Sequence, residues 1–209
     1  MNKLLYTILF LTTSASAFAQ IGIKAGINIS KYSYSQQSFD IDRHNILAYN
    51  IGINYRQTIG KTISFWPELI YTIKGADIYH SYPIGSTGPM KYTNKFSYLQ
   101  LNLPAVAVFE ISDSLDFELG AGIYGAYLTS AKVKIEEFDG SSTTLKYGKD
   151  DLKTMDFGLV FTTGIRLNKT LGLNINYDMG VQNIEPDSEA PKIKTRNFSL
   201  GISWLFSKD

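Results

Sequence analysis

The sequence predicts an all-β protein, an eight-stranded antiparallel up-and-down transmembrane β-barrel with short periplasmic turns and longer extracellular loops. Three observations carry that reading. Residues 196–206 read RNFSLGISWLF, with large apolar side chains at every second position, the mark of a strand with two unlike faces. The same alternation recurs seven more times along the chain, and the connections between the repeats alternate short and long. Between the apolar positions stand Gly, Ala, Ser and Asn, which suit a narrow lumen and not a watered surface.

The first residues, MNKLLYTILFLTTSASAFAQ, place Lys3 before an apolar run and end on Ala17-Phe18-Ala19, the pattern of a secretory signal peptide. Residues 1–19 are therefore expected to be cleaved, leaving a single barrel domain over 20–209. The apolar run is too short for a membrane-spanning helix. Loss of Lys3 leaves nineteen basic against nineteen acidic residues, so no basic excess recruits nucleic acid. With no cysteine, packing and hydrogen bonds must hold the exported chain.

In order, residues 20–30 set Ile21, Ile23, Ala25, Ile27 and Ile29 against Gly22, Lys24, Gly26 and Asn28. Residues 47–57 oppose Leu47, Tyr49, Ile51, Ile53 and Tyr55 to Asn50, Gly52, Asn54 and Arg56. Residues 62–75 carry Ile63, Phe65, Leu69, Tyr71 and Ile73 on one side and Ser64, Glu68, Thr72 and Lys74 on the other, with a bulge expected at Trp66-Pro67. Residues 96–109 alternate Leu99, Leu101 and Leu103 with Gln100, Asn102 and Pro104, and residues 115–131 alternate Phe117, Leu119 and Ile123 with Glu118, Gly120, Gly122 and Tyr124. Residues 152–167 oppose Met155, Phe157, Leu159, Phe161 and Ile165 to Asp156, Gly158, Thr162, Gly164 and Arg166. Residues 171–180 oppose Leu173, Ile175 and Tyr177 to Asn174, Asn176 and Asp178, and residues 196–206 close the set. Turns fall near 59–61, 111–114 and 168–170; longer polar segments cover 31–46, 76–95, 132–151 and 181–195, the third holding an Asp139-Gly140 hairpin turn.

Volume decides which face is inside. Eight strands close around a space only just wide enough for side chains, and the large apolar residues exceed it. The apolar face therefore meets lipid, and Tyr49, Tyr55, Phe65, Tyr71, Phe117, Tyr127, Phe157, Tyr177 and Trp204 form interfacial girdles near strand ends. The lumen then receives Lys24, Arg56, Lys74 and Arg166 beside Glu68, Glu118, Asp156 and Asp178. Such balance points to a structural plug, because buried charges must be paired.

Five pieces, GIKAGINIS (22–30), PELIYTIKG (67–75), YLQLNLPAVAVF (98–109), ELGAGIYGAYL (118–128) and FSLGISWLF (198–206), together resemble the PorT-like outer-membrane β-barrel family of Bacteroidetes. The resemblance implies an eight-stranded outer-membrane protein and an association with protein secretion; it carries over no catalytic residue. Ser199, Gly201, Trp204 and Phe206 also look like the C-terminal signal read by the outer-membrane assembly machinery, although Ser207-Lys208-Asp209 follow the last aromatic.

Other motifs carry less. Gly120-Ala121-Gly122-Ile123-Tyr124-Gly125 fits G-x-G-x-x-G but lies within a strand, where no helix N-terminus receives a phosphate. His44 beside Asp42, and His80 beside Asp77 and Ser81, supply material for a loop-borne hydrolase or acyltransferase. Tyr79, Tyr82, Tyr92 and Tyr98 are candidates for an exposed partner surface or for the girdle. The expectation is a non-enzymatic monomer without catalytic, metal or cofactor site, its lumen closed. It contacts outer-membrane lipid and the assembly machinery, and its loops bind a protein or glycan partner or assist surface export. A loop-based enzyme is the second reading and a soluble lipocalin-like carrier the third.

Overall fold

A computed structural model describes residues 19–35, 41–80, 89–137, 139–147, 153–185 and 191–206. The expected leader, Ser81, Tyr82 and the three residues after Phe206 lie outside the described residues, apart from Ala19. Strands are β1 (Ala19–Tyr34), β2 (Ile41–His44), β3 (Ile46–Ile59), β4 (Ile63–Phe65), β5 (Glu68–His80), β6 (Pro89–Ser112), β7 (Leu115–Glu137), β8 (Ser142–Tyr147), β9 (Met155–Leu167), β10 (Leu171–Gly180) and β11 (Ile193–Leu205). All pairings are antiparallel, and β1, β3, β5, β6, β7, β9, β10 and β11 form a closed ring in which β1 pairs with both β3 and β11. Closure leaves no free edge inside the membrane, which lipid requires because it offers backbone groups no partner.

The eight predicted strands are the eight of the ring. The third is interrupted where a bulge was expected: Pro67 lacks an N–H, and Trp66 donates to the Pro104 carbonyl at 3.0 Å, so β4 and β5 are separate strands. Among the described residues the sixth begins at Met155, the expected start at Leu152 lying outside them, and β6 and β7 are longer than their apolar alternation suggests. The Asp139-Gly140 turn is present, with Gly140 at φ 83°, a left-handed backbone that a glycine adopts without cost, and with β7 and β8 paired below it.

The apolar side chains face outward over the middle of the ring, as Ile23, Ile51, Leu119 and Ile202 show by being more than half exposed. Aromatic girdles mark both edges. Tyr49, Tyr127, Phe157 and Tyr177 stand toward the loop end; Phe65, Phe109, Phe117 and Trp204 stand toward the turn end, where the Phe109 and Phe117 rings lie 6.2 Å apart. At about 3.4 Å per residue and a tilt near 40°, the run from Phe117 to Tyr127 rises roughly 26 Å, the height of an outer-membrane apolar band.

Above this band the pattern inverts. In β7 the inward residues are even-numbered up to Leu128 and odd-numbered from Ala131, because Thr129 is an extra residue: Tyr98 pairs with Leu128 but Ser97 with Ser130. The Thr129 hydroxyl donates to the Ser97 carbonyl at 2.9 Å and holds the bulge. Val133 thus turns inward, and Lys132 and Lys134 turn to water. β1 makes the same exchange by sequence alone, with Lys31 and Ser33 outside and Tyr32 and Tyr34 inside. The result is a soluble-type apolar core at the loop end, built on Tyr32, Phe96, Tyr98, Leu128, Val133 and Ile184.

Candidate functional site

Two places in the molecule gather chemistry: the lumen and the loop-end cap. All eight charged side chains assigned to the lumen lie inside the ring, the most accessible being Arg56 with 11% of its side chain exposed. They divide into two clusters.

At the turn end, the Arg166 guanidinium donates through Nε and a terminal nitrogen to the two oxygens of Glu118, at 2.7 and 3.2 Å, from the neighbouring strand. Arg56 approaches the same carboxylate at 3.7 Å. The Trp66 ring faces both cations, 4.9 Å from Arg166 and 5.3 Å from Arg56, so an aromatic face shares in neutralising them. Asp116, buried and in direct register with Arg166, supplies a second acid and balances this cluster.

Further up, the Lys24 ammonium donates to both Glu68 oxygens at 2.8 and 3.0 Å. A chain of amides continues from there: Asn102 donates to Glu68 at 3.0 Å, Gln100 to Asn102 at 2.7 Å, and Gln100 and Asn197 each to Asp178 at 3.2 Å. Lys74, wholly buried, lies 3.2 Å from Asp156 and 3.8 Å from Asp178. One oxygen of Asp156 also accepts from the Tyr124 hydroxyl at 3.0 Å and from Thr195 at 2.8 Å, while Lys74 sits 4.1 Å over the Tyr124 ring. The ring has room because residue 158 is glycine: a Cβ there would stand 2.6 Å from a Tyr124 ring carbon. The arrangement fills the bore with paired charges and amides, and its chemistry is that of a brace.

Above Tyr124 the aromatic cap closes the top. Tyr32 and Phe96 have ring centroids 6.0 Å apart, and the Arg43 guanidinium lies 4.0 Å over Tyr34. Burial pushes the Tyr34 phenol up, against the opposing pull of Arg43. A cavity of about 260 Å³ opens among Tyr32, Tyr34, Ile78, Phe96, Val133 and Ile193. The placement of Tyr98 corrects the expectation of an exposed or girdle tyrosine: even parity on β6 points it inward, where it is 1% exposed.

A family model described as outer membrane protein beta-barrel domain matches residues 13–185. The chain belongs to this family. No curated relative matches the sequence. Similar solved structures include the attachment invasion locus protein Ail of Yersinia pestis, at 14% identity and TM-score 0.45, covering 90% of this chain and 99% of that one. Neisserial surface protein A shows 14% identity and TM-score 0.47 over 90% and 99%. OprG of Pseudomonas aeruginosa shows 10% identity and TM-score 0.46 over 91% and 97%. The protein is thus an outer-membrane β-barrel, and within that family its lipid belt and ring closure need no other account.

The remaining sequence candidates have plain positions. On β11, Ser199 and Gly201 face the lumen, while Trp204, and Phe206 just past the strand, are about half exposed on the lipid side. His44 lies on β2, exposed, its Nε2 2.9 Å from Asp42 and its ring edge-on to Tyr79 at 5.1 Å. Ser81 and the side chain of His80 lie outside the described residues. The G-x-G-x-x-G stretch is strand β7 throughout. Sequence reasoning missed Asp116 and Trp66. Parity with Glu118 marks the first; the second is hidden by the break at Pro67.

Proposed function

We propose that this outer-membrane barrel is non-enzymatic and closed, and that it works through its loop-end surface, binding a protein or glycan partner or assisting export and assembly at the cell surface. The supporting observation is the contrast along the bore: paired charges fill it, whereas β6 and β7 extend past the lipid band over an apolar core and carry β8 as an exposed outer strand. A barrel that braces its lumen and builds outward spends its ordered structure at the rim. The resemblance to the PorT-like family and its secretion association favour surface export as the finer role. In this reading residues 1–19 are the cleaved leader, and Ser199, Gly201, Trp204 and Phe206 are read by the assembly machinery during insertion.

Gentle solubilisation of outer membranes after surface crosslinking tests the role. A partner retained by the full chain and lost when residues 136–142 are replaced by a two-residue turn supports it; retention regardless of that tip places function elsewhere. The enzymatic reading rests on the His44–Asp42 contact. The double substitution H44A/H80A tests it, since a hydrolase or acyl-transfer activity lost in a correctly folded variant would replace the binding role.

A further inference from the structure

Three lysines stand in one row on the outside of the barrel. Lys95 on β6 is the register partner of Lys132 on β7, and Lys132 is the register partner of Lys146 on β8. All three are exposed. Directly opposed residues point to the same side of a sheet, and Val133 beside Lys132 points in, so the row points out. Neighbouring strands lie about 4.8 Å apart, which sets three like charges within roughly 10 Å. Among the described residues no carboxylate lies within 4.0 Å of any of them, whereas Lys134 and Lys91 have Glu136 and Asp77 at 2.6 and 2.9 Å. Like charges directly opposed destabilise a sheet, so the row needs a reason.

Height supplies one. Allowing for the bulge, Lys132 stands roughly 10 Å above Tyr127 along the tilted strand, at the level of headgroups. The bulge at Thr129 is what puts it outside. A second basic pair, Lys31 and Arg196, lies across β1 and β11 just past Ile29 and Phe198 on the loop side. At the turn end, by contrast, Lys61 and Lys169 alternate with Glu110 and Asp113. We infer that Lys95, Lys132 and Lys146 form a docking site for the phosphate groups of the anionic glycolipid in the outer leaflet, with the phosphates seated between neighbouring ammonium groups. The inference rests on the long loops facing the cell exterior, and it is independent of which partner they bind.

The test uses the mature barrel refolded in neutral detergent and titrated with phosphorylated lipid A, in parallel with the same lipid stripped of phosphate. The expected result is preference for the phosphorylated form, reduced on the order of 10–100-fold in K95Q/K132Q/K146Q and retained in K61Q/K169Q. Without lipid, K132Q alone should melt no earlier than the parent, because it relieves repulsion; this variant keeps the question open to measurement if the triple one fails to fold. Equal binding of both lipids, unchanged preference in the triple variant, or full displacement by a soluble sulfated oligosaccharide would each overturn the assignment.

Discussion

Adjacent residues on β10 carry opposite duties. Ile175 points to lipid and Asn174 into the lumen, where it is 3% exposed. Ile175→Arg should cost about 2–4 kcal/mol in a reversible folding titration in lipid, and Asn174→Ser, which keeps a small polar group inside, well under that. Equal costs would invert the assignment of faces. Glu118 is the sharper case, because Arg166 is wholly buried and bonded to it in bidentate fashion. Glu118→Ala leaves that cation with no nearby acid but Asp116 and should cost about 3–5 kcal/mol; a Glu118→Ala/Arg166→Met pair should recover much of the loss. A small effect of the single change would mean that water reaches the guanidinium, and the brace would not be dry.

At the scale of the element, the Thr129 bulge decides where membrane ends and cap begins. Deleting Thr129 alone would only straighten β7, but deleting Thr129 together with Ser130 would shift the upper strand by one phase, driving Lys132 and Lys134 inward and expelling Val133 and Ile135. Two apolar residues at about 1.5–3 kcal/mol each make local loosening of 3 kcal/mol or more the expected outcome, read as faster tryptic cleavage at those lysines with the transmembrane strands still protected. Unchanged cleavage would show that the phase switch is incidental. The same bulge explains how far the sequence could be read. Period-two alternation holds wherever lipid is outside, so the ring strands and the eight lumen charges follow from parity. Past the band the environments exchange, and an apolar alternation such as Val133 and Ile135 gives no sign of which side it faces unless the extra residue is known. Tyr98 shows the same limit from the other direction, since tyrosine suits both a girdle and a capped core. Trp66 was obscured because a proline break resets the count; Asp116 was legible by parity with Glu118, but it stands beside the turn, where a carboxylate is equally at home in water.

For the whole molecule, closure of the ring makes the barrel an all-or-none membrane object. Unheated samples should migrate anomalously on gels, and the protein should stay with membranes through carbonate extraction; recovery in the soluble periplasm would favour a carrier with an apolar interior. Two clusters of paired charge fill the bore, Arg56, Arg166 and Glu118 with Trp66 below and Lys24, Lys74, Glu68, Asp156 and Asp178 above, and the proposal that function belongs to the loop end requires that they brace it shut. The most direct measurement is single-channel recording of the purified, unmodified protein in planar bilayers. The account predicts no steady conductance steps, since an eight-stranded interior is about as wide as the side chains that fill it; reproducible steps of uniform size would contradict it and make the lumen a pathway.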